Sequence, residues 1–169
     1  NTANYKFHEQ TTAQEIFNQT NGQIDGFTCS IGTGGTLTGV GLGLKSKNKN
    51  IKIACTDSQG SSMYNYFTTG KLEKKGEPSF TEGIGQARVT KNLEDCKVDM
   101  SYYVDDKECL NMLYKLIKTE GLFLGTSSGV NVVGAIKMAK ELGPGKNIVT
   151  ILCDDANKYY DKMFNKKFL

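Results

Sequence analysis

The run Cys29-Ser30-Ile31-Gly32-Thr33-Gly34-Gly35-Thr36 stands between two apolar segments of different kind. Ile24 to Ile31, ahead of it, reads as a strand, and Gly35 to Lys45, behind it, reads as a helix by context. A strand that passes into a helix over so short a turn commits the chain to a strand–helix unit, the building block of an α/β sheet. The turn also has chemical potential. A helix start supplies unpaired backbone N–H groups and the positive end of the peptide dipoles. Glycines let those groups approach a ligand, and Thr33 and Thr36 add hydroxyl donors. The combination suits a phosphate. It excludes two familiar nucleotide patterns. Leu37 stands where G-x-G-x-x-G needs its third glycine, and no Lys-Ser or Lys-Thr closes the turn as in a P-loop. A tight connection that binds nothing is the plain alternative, and spacing alone does not choose between them.

The rest of the chain repeats the alternation. Asn1 to His8 reads as loop, and residues 10–20 as a helix with Ala13, Ile16 and Phe17 on one face. Gly35, Gly39 and Gly43 recur every fourth residue, a smooth strip expected to let that helix lie close against a sheet. Ile51 to Thr56 is a strand, and residues 62–68 a short helix. A polar loop runs from Lys71 to Ser79, and Thr81-Glu82-Gly83-Ile84-Gly85-Gln86 forms a second flexible turn. Val98 to Val104 is a strand. Asp105 or Asp106 caps the helix that follows to Glu120, with Leu110, Leu113, Leu116 and Ile117 inward. Gly125-Thr126-Ser127-Ser128-Gly129 opens a helix that Gly143-Pro144 stops, and Ile148 to Cys153 is the last strand. This order predicts an α/β fold: a parallel twisted sheet with helices on both faces. Ligands of such sheets bind beyond the carboxyl ends of the strands.

Composition narrows the function classes. The 169 residues suffice for one domain with a real core. The net charge is +3, and the tail Lys158 to Leu169, with four lysines and one aspartate, accounts for it as 4 − 1 = +3. The remainder is balanced, so no nucleic-acid face is expected and the tail reads as solvated. The five cysteines, Cys29, Cys55, Cys96, Cys109 and Cys153, include no C-x-x-C pair. They read as reduced core or boundary residues rather than a disulfide frame or a metal site. With no signal-peptide pattern and no apolar stretch long enough to span a bilayer, a cytoplasmic protein without membrane contact is expected. His8 reads as a packing or hydrogen-bonding residue, Asp57 as a turn cap, Asp154 as an orienting group near the last strand, and Glu82 as solvated or paired with Arg88. Ser127 and Ser128 are both candidates for a helix cap.

Four segments together resemble the cysteine synthase (O-acetylserine sulfhydrylase) family, pyridoxal-phosphate enzymes of fold type II. They are His8-Glu9-Gln10-Thr11-Thr12-Ala13-Gln14-Glu15-Ile16, then Ile24-Asp25-Gly26-Phe27 leading into Gly32-Thr33-Gly34-Gly35-Thr36, then Thr81 to Gln86, and Gly125 to Gly129. The resemblance implies cofactor-binding roles for Gly32, Thr33, Gly34, Gly35 and Thr36, which hold the phosphate of pyridoxal 5'-phosphate, and for Ser127 at its ring nitrogen. It leaves the helix cap to Ser128. It places Gly83, Ile84 and Gly85 beside the substrate. A side chain at Gly34 is expected to occupy the ligand's space. A serine at the ring nitrogen is a neutral partner, which suits β-elimination and replacement better than transamination.

Two family features have no match. The lysine that anchors the cofactor and the loop that binds the substrate carboxylate lie in the family's amino-terminal half. The chain therefore reads as residues 1–169 of a carboxyl-terminal portion of the cofactor-binding domain, with no catalytic residue of its own and the amino-terminal half as an expected partner. Ala87, Ala156 and Lys158 stand where the family commonly has Gly, Gly and Arg, which alters local loop shape. The implied reaction makes L-cysteine and acetate from O-acetyl-L-serine and sulfide, in a homodimer. A cystathionine β-synthase-like enzyme and a non-catalytic phosphate- or partner-binding half-protein are the alternatives.

Overall fold

The structure, a computed structural model, describes residues 1–165. Four parallel strands form one sheet in the order β3-β2-β1-β4: β1 Gly26–Cys29, β2 Lys52–Ser58, β3 Met100–Val104 and β4 Ile148–Val149. Helix α3 (Gly35–Lys47) joins β1 to β2, and α4 (Met63–Thr69) follows β2. Helices α5 (Asp106–Glu120) and α6 (Thr126–Leu142) lie between β3 and β4. Alternation along β2 shows that helices cover both faces. A Cβ on Gly41 of α3 would touch Ile53, and one on Gly134 of α6 would touch Thr56. Ile53 and Thr56 project from opposite sides of the strand.

Burial follows from those contacts. Phe27, Ile53, Leu37 and Leu44 are sealed between the sheet and α3. Val104, Cys109, Leu113, Val130 and Met163 form a second cluster around α5 and α6. Asp105 caps α5 with a capping box, its side chain accepting from Glu108 N–H. Of the positions expected inward on α5, Leu113 is buried and Leu110, Leu116 and Ile117 are half-buried, while Cys109 takes the other deep position.

The structure corrects several sequence expectations. The opening residues are not loop: α1 spans Ala3–Gln10 and α2 Thr12–Gln19. The glycine strip of α3 meets these helices instead of the sheet. A Cβ on Gly39 would lie 2.1 Å from the Tyr5 carbonyl oxygen, and one on Gly43 would lie 2.4 Å from Ala13 Cβ. The last strand is two residues long, because β1, its partner in the sheet, pairs with it just at Gly26↔Ile148 and Phe27↔Val149. Beyond Val149 side chains replace ladder bonds, as where Thr150 Oγ1 donates to Thr28 O at 2.6 Å. The described part of the tail is anchored at two points, Tyr159 and, in α7 (Tyr160–Met163), Met163, which are buried, while Lys158, Tyr160 and Asp161 stay exposed. Lys166 to Leu169 lie outside the described residues. No helix among the described residues is long and apolar enough to cross a membrane.

Candidate functional site

The Gly32–Thr36 turn leaves the carboxyl end of β1 and becomes the first turn of α3. Gly34 has φ 86°, and no side chain caps the helix. Gly35 N–H reaches Thr33 Oγ1 at 3.5 Å, and the other first-turn amides are left for another acceptor. The reason for a glycine at 34 is not the expected one: a Cβ there would stand 2.6 Å from the Leu93 side chain, and the left-handed backbone is itself unfavourable to other residues. Gly32 is constrained from the other side, where a Cβ would come within 2.6 Å of Gly83 O.

Neighbouring elements brace the turn. Thr33 O accepts from Thr90 Oγ1 at 2.6 Å and from Asn92 Nδ2 at 3.3 Å. Asn4 of α1 donates to Thr33 Oγ1 at 3.4 Å. His8 bridges Thr12 Oγ1 at 2.9 Å and Thr36 Oγ1 at 3.4 Å, which makes it the hydrogen-bonding residue its sequence context suggested. Ser30 N–H donates to Asn131 Oδ1 at 2.7 Å, while Asn131 Nδ2 donates to Ile151 O at 2.8 Å. This fully buried amide ties α6, the end of β1 and the segment after β4 together.

A cavity of about 180 Å³ opens over the turn. Gly32 to Leu37 line one wall, Gly83 and Ile84 another, and Asn131, Ile151 and Cys153 the third. The lining carries no charged side chain and no lysine. Cys153 is the exposed thiol of the five free cysteines. Burial pushes the thiols of Cys29 and Cys55 up, that of Cys96 up to about 11 and that of Cys109 up to about 12, so these four stay protonated and inert. No group of acidic residues, histidines or cysteines among the described residues can hold a metal ion.

The structure brings two of the three sequence-marked segments to this cavity. Gly85 lies just outside the lining but donates its N–H to Ile31 O at 3.1 Å, joining the second glycine turn to the base of the first. Ser127, in the first turn of α6, does not line the cavity. It is 5 % exposed and its hydroxyl has no hydrogen bond among the described residues. It stands one helical turn before Asn131, on the same face of α6. Ser128 is not a cap. The N-cap is Gly125, and Ser128 Oγ accepts from Cys153 N–H at 3.0 Å. Asp154 packs against the same helix start, accepting from Tyr159 Oη at 3.0 Å through its side chain and from Gly125 N–H at 2.8 Å through its carbonyl. Glu82 pairs with Lys162 of α7, not with Arg88, and that cation holds its carboxyl below the usual range.

Asn131, Asn92 and Asn4 are the site residues that sequence reasoning missed. Each acts across a long sequence separation, so no local pattern marks it. The uncapped helix start, the glycine backbone and the uncharged lining fit the phosphate end of a cofactor, since peptide dipoles and amides stabilise a dianion without a cation.

Comparisons with known proteins agree with that fit. Residues 1–154 match the family described as pyridoxal-phosphate dependent enzyme. The chain is 44% identical over 173 residues to cysteine synthase 1 of Emericella nidulans, covering all of this chain and 47% of that protein. The crystal structure of O-acetylserine dependent cystathionine beta-synthase from Helicobacter pylori superposes with a TM-score of 0.85 at 30% identity, over 96% of this chain and 50% of that one. O-acetyl serine sulfhydrylase isoform 3 from Entamoeba histolytica gives the same TM-score, 0.85, over 98% of this chain and 48% of that one. The chain thus spans about half the length of the relatives it matches. With the parallel sheet, the uncapped glycine turn and a family match over residues 1–154, the chain belongs to the pyridoxal-phosphate dependent enzyme family, with the architecture of fold type II.

Proposed function

We propose that these residues form the cofactor-phosphate side of a cysteine synthase, which makes L-cysteine and acetate from O-acetyl-L-serine and sulfide. The observation that carries the reading is the shared cavity in which the uncapped Gly32–Thr36 turn faces Gly83 and Ile84. In this reading the Gly32–Thr36 amides and the Thr33 and Thr36 hydroxyls hold the phosphate. The unpaired Ser127 hydroxyl meets the ring nitrogen, and Gly83 to Gly85 border the substrate amine. Bound pyridoxal phosphate supplies the electron sink for β-replacement. The chain's own residues orient it: His8 and Asn4 fix the two threonines, and Asn131 fixes the wall behind the turn.

With no lysine in the lining, the covalent anchor falls in this reading to sequence outside these residues. The remaining length of the relatives supplies it, together with the carboxylate-binding loop. The whole protein is then a cytoplasmic homodimer serving cysteine biosynthesis. Cystathionine formation is the second reading, favoured by the fold match to an O-acetylserine dependent cystathionine beta-synthase. The test is to titrate the chain with inorganic phosphate and follow its amides by NMR. Shifts confined to Gly32–Thr36 and their neighbours are expected, and their absence removes the cradle. Assay of the protein extended to its relatives' length, with sulfide in one arm and cystathionine formation in the other, separates the two reactions.

A further inference from the structure

From Gly70 to Thr90 the chain runs without helix or strand, and a connection of that length needs anchors to keep one shape. Its second half carries Gly83 and Ile84 into the cavity wall. Among its anchors, the Gly60–Ser62 turn after β2 grips it at two places. Gly60 N–H donates to Lys75 O at 2.6 Å, and Lys75 N–H donates to Ser61 O at 3.0 Å. On the other side, Ser61 Oγ and Ser62 N–H both donate to Gln86 O, each at 2.9 Å. Gly85 N–H, next to it, donates to Ile31 O at 3.1 Å.

The Lys75 side chain adds a contact that the backbone bonds do not require. Its Nζ lies 4.1 Å from the ring centroid of Tyr64 and 4.7 Å from that of Tyr103. Tyr64 stands in the first turn of α4, directly after the Gly60–Ser62 turn, and Tyr103 stands on β3. The two rings meet edge to face with centroids 6.0 Å apart. Lys75 forms no salt bridge among the described residues, so the rings are what its charge answers to. Gly76 presses the chain against the same ring: its φ is 79°, and a Cβ there would stand 2.5 Å from Tyr103 Oη.

We propose that Lys75 is a positioning residue: its ammonium, seated on the Tyr64–Tyr103 pair, clamps the Gly60–Ser62 turn and so sets the order of the Gly83–Gln86 loop. The route is short. Fixing Lys75 fixes its bonds to Gly60 and Ser61, and the same turn then aims the Ser61 hydroxyl and the Ser62 amide at Gln86 O. Neither Lys75 nor either tyrosine lines the cavity, so the effect reaches a ligand through the loop alone. That the loop borders a substrate rests on the proposed function, whereas its order is a property of this chain.

Hydrogen exchange of the 169-residue chain, at one pH and without cofactor, tests the clamp. The amides to follow are Gly85 and Ser62, which report the loop, and Phe27 to Cys29, which report the sheet. Lys75→Met keeps the stem and removes the charge. It should speed exchange of the Gly85 and Ser62 amides about fivefold and leave the strand amides unchanged. Lys75→Arg keeps the cation and should hold the original rates. Tyr103→Leu should speed the loop amides as well, and adding Lys75→Met to it should bring little further change. Unchanged Gly85 and Ser62 rates in Lys75→Met would overturn the clamp. So would equal acceleration of loop and strand amides, which marks global opening, or Lys75→Arg rates as fast as those of Lys75→Met. Failure here falls on the clamp alone, while failure of the extended protein to form cysteine falls on the proposed reaction.

Discussion

Gly34 and Ser127 show how single residues divide between backbone and chemistry. With φ at 86° and Leu93 at 2.6 Å from any Cβ, Gly34 is fixed by geometry before any ligand arrives. Gly34→Val is expected to lose about 3 kcal/mol of stability, from left-handed strain and overpacking together. It should also lose the phosphate-induced NMR shifts. Denaturant midpoints and the titration check the two effects separately. Ser127→Ala should leave stability nearly unchanged, because its hydroxyl has no partner among the described residues. In the longer enzyme it should slow β-elimination roughly ten- to a hundredfold, the worth of one hydrogen bond to a ring nitrogen. Unchanged single-turnover rates would return Ser127 to a structural residue. Its neighbour behaves oppositely. Ser128→Ala strands the Cys153 N–H and should cost about 1–2 kcal/mol. The glycines carry a local signal in the sequence, whereas the role expected for Ser127 comes from the family resemblance. Asn131 carries none, since its acceptor bond joins it to Ser30, 101 residues away.

At the scale of elements, helix α5 and the strands β1 to β3 are legible from their apolar patterns, α3 from its context and α6 from the turns that open and stop it. The missed first helix has a physical cause. Helix α1 is polar along most of its length and buries only Tyr5, so it has no pattern of its own. Docking onto the glycine strip of α3 makes it a helix, as tertiary packing does for most short helices. The strip itself was legible, but its target was not. Gly39→Ala puts a methyl against the Tyr5 carbonyl oxygen at 2.1 Å and should release α1 from α3, costing about 3 kcal/mol. Since α1 carries Asn4 and His8, the same variant should weaken phosphate binding, a coupling that titration of the variant reads directly. The β2–α4 connection adds a pH dependence. The Asp57 carboxyl is raised from 3.8 to about 6, so the folded chain binds its proton more tightly than the unfolded one. Its contribution to stability is present below pH 4, declines as pH rises towards 6 and is flat above. Thermal melts of the Asp57→Asn variant should lack that decline.

In the whole molecule, one sheet edge lies beside the cavity. Strand β4 pairs with β1 on one side and with no strand among the described residues on the other, and Leu152 just beyond it is 47 % exposed. Open edges and exposed apolar side chains favour association. Sedimentation of the 169-residue chain is expected to show self-association, and a stable monomer with a sharp melt would favour the binding-module reading instead. Borohydride reduction with pyridoxal phosphate should label lysines in a scattered way, with no single stoichiometric site, because none lines the cavity.

The cavity wall also sets an order of events in the life of the chain. The cradle is complete in sequence by Thr36, yet Ile151 and Cys153 face it only after β1 has met β4 across 122 residues. Contacts of such separation close slowly, since the intervening loop must first be ordered. Strands β1 and β2 and helix α3 can assemble early, while the ligand chamber exists only at the end. A ligand seated there would therefore report completed folding, and any change that slows the docking of the last strand would delay the chamber without touching the turn that gives it its chemistry.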